Sequence, residues 1–193
     1  MLGEQKVDHY LDIRLIPDPE FRPTILMNAL FAKLHRALAQ LQSQRIAVSF
    51  PSVQAHPPAL GDHLRLHGVA QELERLMALN WLTGMRDHTR ISEPCPVPAS
   101  AAHRVVRRVQ AKSNPERLRR RRIQRHDTDE TEVRASLPDS IAERLQLPFV
   151  TIHSQSTGQT FRLFIDHRPL GESAVEGLFS DYGLSPTATV PWF

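Results

Sequence analysis

The sequence predicts an α+β fold in two parts. Two patterns carry this. Apolar residues repeat alternately with strand and helix spacing, in the order βαββαβ, as far as Ile91. A proline-rich run then separates that half from a strongly basic one. The chain has 193 residues, which suits one large or two small domains at about 150 residues per domain. We expect domains at 1–94 and 95–193.

The elements follow in chain order. Val7, His9, Leu11, Ile13 and Leu15 alternate with polar residues, which reads as a strand. Pro17, Pro19 and Pro23 end it. From Thr24 to Leu41, the residues Leu26, Met27, Leu30, Phe31, Leu34, Leu38 and Leu41 share one apolar stripe on a helix. Arg45 to Phe50 and His63 to His67 are short strands, and Ala70 to Leu79 is a second amphipathic helix. Arg86 to Ile91 is read as a fourth strand. The βαββαβ order is the ferredoxin-like pattern. The run Ser92 to Ala102, with Pro94, Pro96 and Pro98, is expected as a linker. In the second half we expect a strand at Val105 to Gln110, a basic helix over about 115–126, and a short helix within Leu137 to Leu147. A hairpin over 149–166 follows, turning at Ser154 to Gln159. The apolar end Val190-Pro191-Trp192-Phe193 should be docked.

Charge narrows the function. The net charge is only +3. Residues 104–126 nevertheless hold ten Arg or Lys against the single acid Glu116, leaving the remainder acidic. A basic element on an acidic body is the footprint of a nucleic-acid binder. One cysteine, Cys95, excludes an internal disulfide and a multi-cysteine zinc site. No apolar stretch approaches membrane length, and no charged-then-apolar targeting segment opens the chain. A cytoplasmic protein away from the membrane is expected.

The basic helix has a marked start. Ser113 and Glu116 have capping-box spacing, and Pro115 sits where its missing N–H costs nothing. Arg117, Arg120, Arg121, Gln124 and Arg125 then share an arc of about 140° at 100° per residue. Like charges at i,i+4 destabilise a free helix, so a polyanion is the expected partner. Acidic residues within 127–132 offer the alternative of a salt-bridged solvent face. Upstream, Arg108 and Gln110 point the same way if in a strand, and these side chains suit guanine and adenine edges.

Several segments together resemble one family. They are Asp8-His9-Tyr10-Leu11-Asp12-Ile13-Arg14-Leu15, the run from Arg108-Val109-Gln110-Ala111-Lys112-Ser113-Asn114-Pro115 through Arg121, Leu147-Pro148-Phe149-Val150-Thr151, Ser154-Gln155-Ser156-Thr157-Gly158-Gln159, and Val190-Pro191-Trp192-Phe193. From about Asp8 onward the chain resembles the CRISPR-associated endoribonucleases of type I-F systems. That resemblance implies a ferredoxin-like domain followed by a smaller α+β domain with an arginine-rich helix. It also implies metal-independent cleavage of precursor CRISPR RNA at the base of each repeat hairpin. A 2′-OH would attack the adjacent phosphate, leaving 2′,3′-cyclic phosphate and 5′-OH ends.

The resemblance assigns roles to residues. His35 falls on the catalytic histidine, at the edge of the first helix's apolar stripe. Ser154 would hold the 2′-OH, and Tyr182 would position the histidine. Phe161 matches a base-stacking aromatic, although its strand pattern fits a core residue nearly as well. Arg108, Gln110, Lys112, Arg117, Arg120, Arg121, Arg125, Ser156 and Thr157 complete the expected RNA contacts. Gln124 departs from the family, where another arginine can stand. No metal and no cofactor are expected. The expected partners are the repeat hairpin and other subunits of a type I-F interference complex, with a monomer when free. The competing reading is a non-cleaving hairpin-binding subunit. A basic DNA-binding regulator is disfavoured, because no helix-turn-helix or dimer signature is seen.

Overall fold

The computed structural model describes residues 7–110, 119, 122–123, 145–154 and 158–193. By internal contacts the chain divides into one unit of Met1–Arg108 with Leu147–Phe193 and another of Val109–Gln146. The larger unit is α+β, with two sheets and two helices.

The first sheet holds β1 (His9–Leu15), β2 (Ala47–Ser49), β3 (His63–Gly68) and β4 (Thr89–Ile91) in the order β2-β3-β1-β4, all antiparallel. This arrangement is consistent with the ferredoxin-like pattern. Helix α1 (Pro23–Leu41) lies between β1 and β2, and α2 (Ala70–Ala78) between β3 and β4. Pro23 opens α1 because proline's fixed φ and absent N–H suit the first helical position. Gln42 ends α1 in a left-handed conformation, its N–H donating to the Leu38 carbonyl at 3.0 Å. Leu26, Met27, Leu30, Phe31, Leu34 and Leu38 are buried as the apolar stripe requires. Removing a side chain such as Phe31 would cost about 3–5 kcal/mol.

Two expectations change. Arg86–His88 is a single 3₁₀ turn, so strand β4 starts only at Thr89. The proline-rich run is also tied down rather than free: Cys95–Pro96 forms β5 against His9 and Tyr10. The Val97 N–H donates to the Asp8 carbonyl at 2.8 Å. Proline removes a donor but does not bar edge pairing.

The second sheet holds β6 (Ala102–Val109), β7 (Phe149–His153), β8 (Thr160–His167) and β9 (Thr189–Trp192), in the order β7-β8-β6-β9. Val106, Val150, Ile152, Leu163, Ile165 and Val190 join Leu11, Ile13, Leu64 and Leu66 in one contiguous core. The apolar end is docked. The Phe193 ring meets Tyr10 edge-on at 4.8 Å, and the Arg104 guanidinium lies 4.4 Å from the Trp192 ring.

The face of the first sheet that carries His63, Arg65 and His67 is polar yet buried. Arg65 donates to both Asp12 oxygens, at 2.6 and 3.0 Å, and to the Phe193 carbonyl at 3.1 Å. His63 Nε2 lies 2.8 Å from Asp12 Oδ1. Burial alone would raise the Asp12 pKa, but hydrogen bonds from His63 and Arg65 outweigh it and hold the carboxyl well below its usual range. Ser49 Oγ lies 2.7 Å from His67 Nε2. Burial, with the nearby charge of Arg65, pushes His67 down to about 3, so this imidazole is neutral at physiological pH.

In the smaller unit Arg119, Arg122 and Ile123 are helical, within the span expected for the basic helix. The remainder of that span, its Ser113–Glu116 start and most of the expected helix within 137–147 lie outside the described residues.

Candidate active site

One face of α1 sets the floor of a cavity of about 240 Å³. Ala32, His35, Arg36 and Ala39 line it, at the i, i+3, i+4, i+7 spacing that puts residues on one helix face. The two alanines leave room beside the two functional side chains. Leu34 and Leu38, fully buried on the adjoining face, fix the rotation of the helix. His35 is half-buried, held by the core at one side and open at the other.

Ile152, His153 and Ser154 form the facing wall, with Phe161 and Tyr182. An amide sets the register of helix against strand. The Thr151 N–H of β7, an edge strand, donates to Asn28 Oδ1 at 2.9 Å. Asn28 and His35 lie seven residues apart on nearly the same helix face, about 10 Å along the axis. Thr151 and Ser154 lie three residues apart, about 10 Å along a strand. The amide that joins Asn28 to Thr151 therefore also brings His35 level with Ser154.

A tight turn supplies the third wall. Ser180 N–H donates to the Leu184 carbonyl at 2.9 Å and Gly183 N–H to the Ser180 carbonyl at 2.7 Å. The turn rests on β2 through a 2.9 Å bond from Val48 N–H to the Gly183 carbonyl. Gly183 has φ +69°, and a Cβ there would stand 2.6 Å from Val48 Cγ1, so only glycine fits. Pinned this way, the turn presents two groups to His35. The Asp181 carbonyl lies 3.0 Å from His35 Nδ1. The Tyr182 ring stacks on the imidazole, 4.1 Å between centroids and 13° between planes. Tyr182 is backed in turn by the parallel ring of Phe31, buried in the core.

The carbonyl can only accept, so Nδ1 carries the proton and the neutral ring keeps its lone pair on Nε2. Stacking on one side and a hydrogen bond at one edge leave the imidazole little freedom to turn. An imidazole held this way can serve as a general base.

Ser154 closes the hairpin between β7 and β8. Its N–H donates to the Gln159 carbonyl and its own carbonyl accepts from the Gly158 N–H, both at 2.8 Å. Phe161 is half-buried; it lines the cavity and packs against the core. Arg108 is exposed near the end of β6, its guanidinium 5.7 Å from the rings of both Phe161 and Tyr182. Gln110 is exposed and follows β6, which stops at Val109. Lys112, Arg117, Arg120, Arg121, Gln124, Arg125, Ser156 and Thr157 lie outside the described residues.

Three residues that line or brace the cavity escaped the sequence reading: Asn28, Asp181 and Arg36. Asn28 carried a signal, being a polar residue two turns before His35 on its helix face. Asp181 acts through its backbone, which side-chain identity does not reveal.

The family description "CRISPR-associated protein (Cas_Csy4)" matches residues 10–193. The chain is 56% identical to the "CRISPR-associated endonuclease Cas6/Csy4" of Pseudomonas aeruginosa (strain UCBPP-PA14) over 187 residues, which cover 97% of this chain and all of the relative. It is 48% identical, with the same coverage, to the protein of that name from Escherichia coli (strain UTI89 / UPEC). The chain therefore belongs to the Csy4 family of CRISPR-associated proteins.

Proposed function

We propose that this protein is a metal-independent endoribonuclease that cuts precursor CRISPR RNA at the base of each repeat hairpin and stays on the product. The observation that carries the reading is the convergence of His35, Ser154, Phe161 and Tyr182 on one cavity.

Cavity side chains and solvent water carry the proton transfers. Ser154 orients the 2′-OH. His35 Nε2 takes its proton as the O2′–P bond forms, and the P–O5′ bond breaks as the leaving oxygen takes a proton from water. The products are a 2′,3′-cyclic phosphate and a 5′-OH. Tyr182 and the Asp181 carbonyl hold the imidazole, so that orientation is settled before the RNA arrives. Phe161 offers a face on which a base at the cut site stacks.

On this reading residues 1–94 contribute the histidine and 95–193 the RNA contacts. Arg117, Arg120, Arg121 and Arg125 meet stem phosphates with Lys112, while Arg108 and Gln110 read a base pair at the foot of the stem. Ser156 and Thr157 supply supporting hydroxyls near Ser154 for the RNA. A-form major grooves are narrow and deep, so stem shape with a few base contacts sets specificity. The free protein is a cytoplasmic monomer, and the retained hairpin places it among the other subunits of a type I-F interference complex.

Incubation with a repeat hairpin in EDTA, followed by end analysis of the products, tests the reading. Cleavage with cyclic-phosphate ends is expected. Loss of activity restored by a divalent ion would contradict the mechanism, and tight binding without cleavage would make the chain a hairpin-binding subunit.

A further inference from the structure

The cavity offers a base and a hydroxyl, and a fixed positive charge would further favour the reaction. In-line attack on a phosphodiester builds negative charge on the non-bridging oxygens, and preorganised cations or donors at that point are commonly a large share of catalysis. Among the residues that line the cavity, Arg36 alone carries a permanent charge. It follows His35 in α1 and is exposed. Among the described residues no ion pair or hydrogen bond engages its guanidinium. Ala32 and Ala39 flank it without bulk. Arg108, another cation nearby, lies over the rings of Phe161 and Tyr182 and is not among the lining residues.

We propose that Arg36 is a catalytic residue that grips the non-bridging oxygens of the scissile phosphate while its neighbour His35 takes the 2′ proton. The inference rests on the endoribonuclease reading of the same cavity. A guanidinium presents paired N–H donors in a plane that matches two phosphate oxygens. Its place one residue from the base lets one helix turn hold both the phosphate and the proton acceptor.

The test combines single-turnover cleavage with a two-by-two binding comparison. Arg36→Gln is expected to slow cleavage about 10²–10³-fold, and Arg36→Lys to recover part of that loss. Arg14→Gln, which removes an exposed arginine from β1, should cleave at the wild-type rate. Binding is measured on hairpins with a 2′-deoxy nucleotide at the cut, carrying either the natural phosphate or a neutral methylphosphonate there. Wild type should bind the methylphosphonate more weakly, and Arg36→Gln should bind both equally. If the two losses multiply instead, Arg36 contacts something other than this phosphate and the proposal fails. Wild-type-rate cleavage by Arg36→Gln would also overturn it while leaving the endoribonuclease reading intact. A wild-type protein that cannot cut the hairpin would sink that reading first.

Discussion

Among the described residues, two serine–histidine combinations differ in their access to a substrate. Ser49 and His67 lie 2.7 Å apart and look like a nucleophile beside its base. They are 1% and 0% exposed, and burial keeps the imidazole neutral. Ser154 and His35 face each other across a cavity, each half-buried. In the first combination the ring serves a buried polar layer between strands. In the second one ring nitrogen is tied to a carbonyl and the other is left for chemistry. Access, together with a fixed tautomer, separates a candidate site from a structural hydrogen bond that is geometrically tighter.

The comparison breaks most visibly at the serines. Ser154→Ala should slow cleavage about 10²–10⁴-fold, with hairpin affinity nearly unchanged. Ser49→Ala should cleave at the wild-type rate and melt at a lower temperature. Single-turnover kinetics and thermal melting on both variants check this, and equal rates for the two would erase the distinction.

Arginines divide in the same way. Arg65 spends its charge on Asp12 and lies 3.9 Å from the Phe193 ring, so it should not contribute to RNA binding. If about five arginines of the basic helix meet phosphates, log affinity should fall with log salt at a slope near about −4. A titration of hairpin binding at several ionic strengths measures this. Arg120→Ala or Arg121→Ala should make the slope shallower by about one, whereas Arg108→Ala should instead change which closing base pair is preferred.

Asn28 is the sharper probe of geometry. Asn28→Ala removes the hydrogen bond that sets α1 against β7 and should slow cleavage about tenfold, because small displacements of reacting groups are costly. Affinity for the product hairpin should stay within about twofold, since the expected phosphate contacts lie elsewhere. Parallel rate and binding measurements decide it. A variant that loses affinity and rate together would place Asn28 in binding rather than positioning.

The smallest expected effect is in pH. The His67 pKa is pushed down to about 3 in the folded protein, against about 6.5 in an unfolded chain. Between those values the unfolded state takes up the proton and the native state does not. His67 therefore destabilises the fold progressively as pH falls from about 6.5 toward 3, and does nothing above that range. Burial pushes His167 to about 4, which adds the same trend over a narrower window. Melting temperature against pH should decline more gently in His67→Asn than in wild type.

Much of the fold was legible because it rests on local patterns. The period-two run of β1 and the stripe of α1 depend only on which residues face the core. His35 could be placed at a stripe edge, yet ten histidines in the sequence made that position unremarkable without the family resemblance. What stayed hidden was tertiary. Cys95–Pro96 pairs with β1 although its composition reads as linker. Arg86–His88 coils into a 3₁₀ turn before β4, though its residues suit either state. The bond from Thr151 to Asn28 spans 123 residues, and no spacing rule reaches that far.

We propose that His35, and not the buried His67, takes the 2′ proton. Single-turnover cleavage and equilibrium binding of one repeat hairpin, measured for His35→Ala and His67→Asn side by side, test it most directly. We expect His35→Ala to bind as wild type does and to cleave about 10²–10⁴-fold more slowly, and His67→Asn to cleave normally while melting earlier. Near wild-type cleavage by bound His35→Ala would contradict the claim and shift the search to His153, the other imidazole lining the cavity.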